Sequence, residues 1–427
     1  MNPLGLTQAQ QGLWAEYRAA PLDTGQHIAE QLEFHGPLDA ERLLDAAARM
    51  LDEVPALHAR FETRGNSAVQ HLGAVPVQAA AVRDLRGHPH PDRAADEEAQ
   101  ALLDMPFALE DGKLYRHALF LLGPERARWV LVTHHITLDG YGLTLCLERL
   151  AAQYCAASHR EDRAPAFDAL PPVLEAEAAY EASPDRATDG AVLRALYGGI
   201  PHVPAPLLDL GLRRGHRAAR HLPAPLVRQL HEQATALQVG WPALLFALSA
   251  AFWRAHSGER QVVLAVPVMG RLGHPSARVP CMVMNLAPLR LDVTPGQTLR
   301  TLAGQAQAAL GPLRRHGRYR YEHLWADLNG HRLFGPEVNV IPFRRPLDFG
   351  PGLQVNTATL ASGPVEALAL SFTAGGGALH LTLDGHPALY SAADVHALHG
   401  QLQVALAGGL DRPDRPVEAL WPAAVAG

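Results

Sequence analysis

Cysteine is scarce in this 427-residue chain, which has only Cys146, Cys155 and Cys281. An odd number without a C-x-x-C spacing argues against a disulfide framework or a thiolate zinc site and fits reduced, buried thiols. Lysine is scarcer still: of 37 basic residues, Lys113 alone is a lysine. With a net charge of −6 there is no positive field to draw a phosphate backbone or an anionic bilayer, so neither nucleic acid nor membrane is an expected partner. Long apolar runs are absent, and Met1 to Leu6 lacks a basic stretch followed by an apolar one, so the expected location is cytoplasmic. H-E-x-x-H, G-x-S-x-G, a P-loop and a strand-borne G-x-G-x-x-G are also missing. That removes the residues a zinc protease, serine hydrolase or nucleotide-binding protein needs, and no metal is expected.

What is present is a large apolar fraction, 48%, with 37 Gly and 34 Pro. The length exceeds the ~100–200 residues at which one core stops growing, so two lobes are expected. Thr7 can cap a helix to about Ala19, His27 to His35 has a strand face, and Asp39 can cap a helix to about Leu51. Arg128 to Thr133 reads as a buried strand, followed by a helix from about Tyr141 to Ala157. An Ala, Pro and acid-rich stretch from Pro165 to Pro206 is the expected inter-lobe helix and linker. The alternation then repeats. His216 to Leu222 is extended, Pro225 to Gln238 and Trp241 to His256 are helices, and Gln261 to Val268 is a core strand. A helix at Gln297 to Arg314, strands at Gly335 to Phe343 and Gly363 to Leu383 turning at Gly375-Gly376-Gly377, and a helix at Ser391 to Leu406 complete an α/β (α+β) pattern.

The strongest local signal is His134-His135-Ile136-Thr137-Leu138-Asp139-Gly140, placed where the strand ends. A strand ending in two histidines can bury one and present the other at a cleft, where a neutral imidazole accepts a proton at neutral pH. Metal ligation would need a third ligand at a standard spacing, which the sequence lacks.

HHITLDG matches the HHxxxDG signature of nonribosomal peptide synthetase condensation domains, and further segments resemble that family's motifs in order. They are Thr7 to Trp14, Ala56 to Phe61, Phe107 to Arg116, Val266 to Arg271, Asn285 to Arg290, His316 to Glu322 and Val338-Asn339-Val340. Met269 to Gly273, Arg314 to Arg320 and Leu333 to Pro336 most resemble condensation domains of catechol-siderophore, enterobactin-type synthetases. The resemblance implies two chloramphenicol-acetyltransferase-like lobes, here 1–172 and 173–427, forming a V-shaped pseudo-dimer around a central tunnel. Donor and acceptor carrier proteins would present an acyl or aryl thioester and an amine on phosphopantetheine arms, with no bound cofactor, to a monomeric enzyme.

By the same resemblance His135 is the base or positioning group for the amine, and Gly140 leaves room beside oxyanion-stabilising N–H groups. Asp139 pairs with Arg271 across the lobes, His134 sets the turn, and Gly142, Asn339 and Ser362 line the tunnel. Two departures stand out: His58 where the second motif usually has Arg, implying a weaker structural hydrogen bond, and Gly142 where Ser often follows, implying a wider cleft. An epimerisation domain, a free-standing acyltransferase using a soluble amine or alcohol, and a non-catalytic recruitment platform are alternatives. The chain carries no adenylation motif and no carrier-protein serine motif.

Overall fold

The computed structural model describes residues 3–65, 67–156, 167–200, 214–342, 344–375 and 377–421. Its strands are β1 (His27–His35), β2 (Arg60–Arg64), β3 (Ser67–His71), β4 (Ala81–Asp84), β5 (Tyr115–Gly123), β6 (Arg126–His134) and β7 (His216–His221). They continue with β8 (Gln261–Val268), β9 (Asn285–Asp292), β10 (Glu337–Ile341), β11 (Gln354–Ser362), β12 (Leu368–Gly375) and β13 (Ala378–Gly385). Two mixed sheets result, with strand orders β11-β1-β6-β5-β4 and β7-β13-β12-β10-β8-β9, while β2 and β3 form a separate ribbon.

In the first lobe β6 lies at the centre, antiparallel to both β1 and β5, with Trp129 to His134 wholly buried. Helices Ala40–Asp52 and Gly140–Cys155 cover one face through Leu43, Met50, Leu143, Leu147 and Leu150. In the second lobe the helix Trp241–Ser257 is apolar on all sides and correspondingly buried, between the helices Leu299–His316 and Ala392–Asp411 and their sheet. No single helix among the described residues is long and apolar enough to cross a membrane.

Local sequence accounts for the boundaries. Thr7 Oγ1 accepts from Gln10 N–H while the Gln10 side chain accepts from Thr7 N–H, a capping box that starts the helix Gln8–Ala19. Asp39 caps the helix Ala40–Asp52 in the expected way. The helix after the signature begins at Gly140, one residue earlier than expected, and ends at Cys155; Ala157 lies outside the described residues. The expected linker contributes the helices Pro171–Glu181 and Pro184–Tyr197, and its remaining parts at 165–166 and 201–206 lie outside the described residues, as do Phe343 and Gly376.

Several elements were not anticipated, among them β9, the helix Tyr321–Asp327 and the two that follow. Pro91–Asp104 is a helix on the first lobe, and β11 belongs to the wrong lobe by chain position. Although it follows β10 in sequence, β11 pairs antiparallel with β1, Phe34 opposite Val355 and Ile28 opposite Ser362. A division at 172/173 therefore does not separate the sheets cleanly, because the second half of the chain supplies the edge strand of the first lobe.

Candidate active site

β6 delivers the two histidines at its end, where the chain turns before the helix Gly140–Cys155. His134 is fully enclosed and packs against the rings of Tyr17, His27 and Phe107. Its Nδ1 accepts from Ile136 N–H at 3.1 Å, and its carbonyl accepts from the Thr137 N–H and hydroxyl at 3.0 and 2.8 Å. Burial, reinforced by His27 and His135, holds its pKa well below the ordinary histidine value. This is a neutral ring that shapes the turn.

His135 points the other way, into a cavity of about 920 Å³ between the lobes. Its Nδ1 lies 2.9 Å from the Leu138 carbonyl. A carbonyl can only accept, so Nδ1 carries the proton and Nε2 keeps its lone pair. Burial lowers the pKa despite opposing backbone hydrogen bonds and the charge of Asp139, so the ring is a neutral base at pH 7. Gly363 closes over it: at φ +96° it takes a conformation that suits glycine, and a Cβ there would lie 2.8 Å from His135 Cδ2.

Asp139 caps the next helix, its Oδ1 accepting from Gly142 N–H at 2.8 Å and its carbonyl from Leu143 N–H at 2.9 Å. No hydrogen bond from Gly140 N–H is made within the described residues. Gly140 lines the cavity, and an added Cβ would meet no protein atom within 4 Å. The glycine leaves that volume to a ligand, at the positive end of a 16-residue helix.

The Asp139 carboxylate, 2% exposed, meets Arg271 Nη2 at 2.8 Å from each oxygen. Arg271, also 2% exposed, donates to the carbonyls of Ser276, Val279 and Cys281 at 2.5, 2.8 and 2.7 Å, and lies over the Tyr141 ring. These partners satisfy both Nη groups of the buried guanidinium, while its Nε has none.

Asn339 and Ser362 both line the cavity, and the Ser362 hydroxyl accepts from Arg217 Nη2 at 2.7 Å. Gly142 does not line it, contrary to expectation. It is buried at the lobe seam, where a Cβ would lie 3.2 Å from both the N and O of Cys281. Two residues along a helix turn a side chain to nearly the opposite face, so Gly140 and Gly142 serve different neighbours. His58 is buried, and its Nε2 donates to the Leu51 carbonyl at 3.0 Å.

Beyond Asp139 and Arg271, sequence reasoning missed the charged groups of the cavity wall. Arg217 joins Asp384 at 2.6 Å, and Glu30 pairs with Arg344. Burial, aided by Glu366 and Glu322, pushes Glu16 up to about 7, while burial, Glu366 and Asp384 push Glu337 up to about 8. Only the period-two placement of Gln26, Ile28 and Glu30, all on the wall, offered a signal. Among the described residues no group of three or more His, Cys, Asp or Glu is placed to hold a metal ion.

A family model described as "Condensation domain" matches residues 2–423. The chain is 33% identical over 418 residues to a dimodular nonribosomal peptide synthase of Bacillus subtilis (strain 168), covering 94% of this chain and 18% of that one. It is 34% identical to an isonitrile lipopeptide synthase of Streptomyces coeruleorubidus, covering 97% and 29%. To enterobactin synthase component F of Escherichia coli O157:H7 it is 30% identical, covering 86% and 29%. The chain thus spans less than a third of these curated relatives. Among solved structures, the first condensation domain of the calcium-dependent antibiotic synthetase with a substrate analogue superposes with a TM-score of 0.90 at 30% identity, covering 98% of this chain and 99% of that one. The starter condensation domain of rhizomide synthetase with C8-CoA and Leu-SNAC gives 0.88 at 27% identity, covering 98% and 96%.

Proposed function

This chain belongs to the condensation-domain family, and from that premise we propose that it joins an acyl or aryl thioester on a donor carrier protein to an acceptor amine. The observation that carries the reading is His135. Its tautomer leaves Nε2 as a neutral base on the wall of a cavity that both lobes line.

The amine nitrogen attacks the thioester carbonyl, and the tetrahedral intermediate gathers negative charge on oxygen beside the N–H of Gly140 at the helix start. Nε2 of His135 takes the proton that the nitrogen must lose. Collapse expels the carrier thiolate, which receives that proton, so amide and free thiol are the products. Placing both ends in one cavity replaces a bimolecular encounter by an intramolecular one. Asp139 and Arg271 hold the loop without touching substrate, and Asn339 and Ser362 contact the substrates' path. The protein itself contributes no resident cofactor; the phosphopantetheine arms belong to the carriers. It acts as a cytoplasmic monomer.

The test is to incubate the protein with a loaded donor carrier and either a loaded acceptor carrier or free amines, then weigh both carriers by mass spectrometry. Transfer of the acyl mass to the acceptor carrier is expected. Transfer only to free amines or alcohols makes it a free-standing acyltransferase, and no transfer to any acceptor overturns the catalytic reading in favour of a recruitment platform.

A further inference from the structure

The cavity touches both faces of the second sheet. Ala265, Glu337 and Asn339 line it from one face. Val266, Val268 and Val340, out of phase with them along the same two strands, line it from the other, which packs on the helices Trp241–Ser257 and Leu299–His316. Phe246, Leu310 and Leu313 of those helices line it as well, so the cavity extends through the sheet into the layer beneath. A closed ladder would bar that passage. β8 keeps its register with β9 from Gln261 to Val268, and β10 keeps its register with β12 from Glu337 to Ile341, yet β8 and β10 pair only at Ala265 and Glu337.

The sequence explains where the pairing stops. Gly335 N–H donates to the Val263 carbonyl at 2.7 Å, and Ala265 N–H donates to the Pro336 carbonyl at 3.0 Å. Along one edge of a strand the donors recur at every second residue, so the next would come from residue 267. That residue is Pro267, which has no N–H to give. Beyond it no register pair joins β8 to β10, and the slot opens between Val266–Val268 on one side and Val340 on the other. The slot's lining selects its occupant. Val266, Val268, Val340, Phe246, Leu310 and Leu313 carry no side-chain donor or acceptor. A ring hydroxyl or a charged group would lose its water there without a side-chain partner, whereas a methylene chain gains by leaving water. The slot is continuous with the cavity that holds His135, so one ligand can occupy both.

We propose that the donor is a straight-chain apolar acyl thioester, its carbonyl held at His135 and its alkyl tail passing between β8 and β10 toward Phe246, Leu310 and Leu313. This inference rests on the amide-forming reading and narrows the donor class for the same site, setting the aryl donor aside.

With one acceptor carrier loaded in turn with neutral, acidic and basic aminoacyl groups, initial rates are compared for donor carriers bearing acetyl, butyryl, hexanoyl, octanoyl or dihydroxybenzoyl groups. Each added methylene should raise kcat/KM by about fourfold until the slot is full, so that octanoyl exceeds acetyl by about a hundredfold or more. Dihydroxybenzoyl should fall below hexanoyl. Val340→Phe, which puts a ring into the slot, should cut the octanoyl-to-acetyl ratio at least tenfold. Equal use of acetyl and octanoyl by the unaltered protein, or dihydroxybenzoyl as the best donor, overturns the proposal without touching the amide-forming reading. So does a ratio that the folded Val340→Phe variant retains. Photolabelling reads the slot with neither substitution nor turnover, using a pantetheine thioester of an eight-carbon acyl chain that ends in a diazirine. Label on Trp241–Ser257 or Leu299–His316, displaced by octanoyl-pantetheine and not by acetyl-pantetheine, is expected from peptide mapping by mass spectrometry. Label confined to other segments, or no displaceable label, overturns the slot. No amide from any donor, beside displaceable label in the slot, would instead overturn the catalytic reading and leave the chain-binding site standing.

Discussion

At the scale of single residues, His135 is the group whose chemistry the fold determines most tightly. Its base is Nε2 because Nδ1–H is spent on the Leu138 carbonyl. His135→Ala should lower amide formation by ~10²–10⁴-fold while the thermal midpoint stays within a degree or two; unchanged turnover would remove both the base and the positioning role. Because burial depresses the His135 pKa, the neutral form persists below pH 6.5, and the acid limb of kcat at saturating acceptor should fall at a pH lower than that. A midpoint at or above 6.5 would show the ring to be ordinary. Glu337 gives the opposite sign. Its folded pKa, about 8, lies above the unfolded value, so its contribution is full below about pH 4.3 and is lost as pH rises through 8. Glu337→Gln should therefore melt higher than the unaltered protein at pH 8.5, with the gap closing toward pH 4.5. A constant gap would mean that Glu337 is not held protonated. His134, His135 and Asp139 were legible because the signature is contiguous. Gln26 and Glu337 were not, because an isolated polar residue beside or within a strand looks solvated until a second lobe closes over it.

At the scale of elements, the helix Gly140–Cys155 shows how much one turn of phase decides. Residue composition located the strand, at Arg128 to Thr133, and the helix after it. It did not say which of two nearby glycines faces the cavity, since that depends on the Cys281 segment packing against the helix. The consequence is a pair of contrasting variants. Gly140→Ala should keep the thermal midpoint and slow catalysis, because its Cβ enters open space. Gly142→Ala should cost about 1–3 kcal/mol of stability by crowding the Cys281 backbone. Differential scanning calorimetry with the amide assay checks both, and matching behaviour of the two variants would mean the helix phase is wrong. β11 escaped notice for a related reason. Gln354–Ser362 alternates only weakly, and its partner β1 is more than 300 residues distant in sequence, so local pattern could suggest extension but not pairing.

At the scale of the whole molecule, that strand changes what the two lobes are. β11 joins the first sheet while β10 and β12, on either side in sequence, belong to the second, so neither sheet is complete without the other half of the chain. Arg217 reinforces the crossing by binding Asp384 on β13 and Ser362 on β11. Asp139 and Arg271 add a buried ion pair beside the cavity. Covalent crossing and buried charge together predict one unfolding transition instead of two. Urea unfolding followed by far-UV circular dichroism and by fluorescence should give coincident curves, with Trp14 and Trp129 reporting the first lobe and Trp253 the second. Asp139→Ala leaves Arg271 charged and uncompensated in the interior, a loss of about 3–5 kcal/mol. Because β11 still bridges the lobes, that loss should move the midpoint of the single transition without splitting it. Two separated transitions in the unaltered protein would refute the coupling through β11, and an unmoved midpoint in Asp139→Ala would refute the contribution of the ion pair.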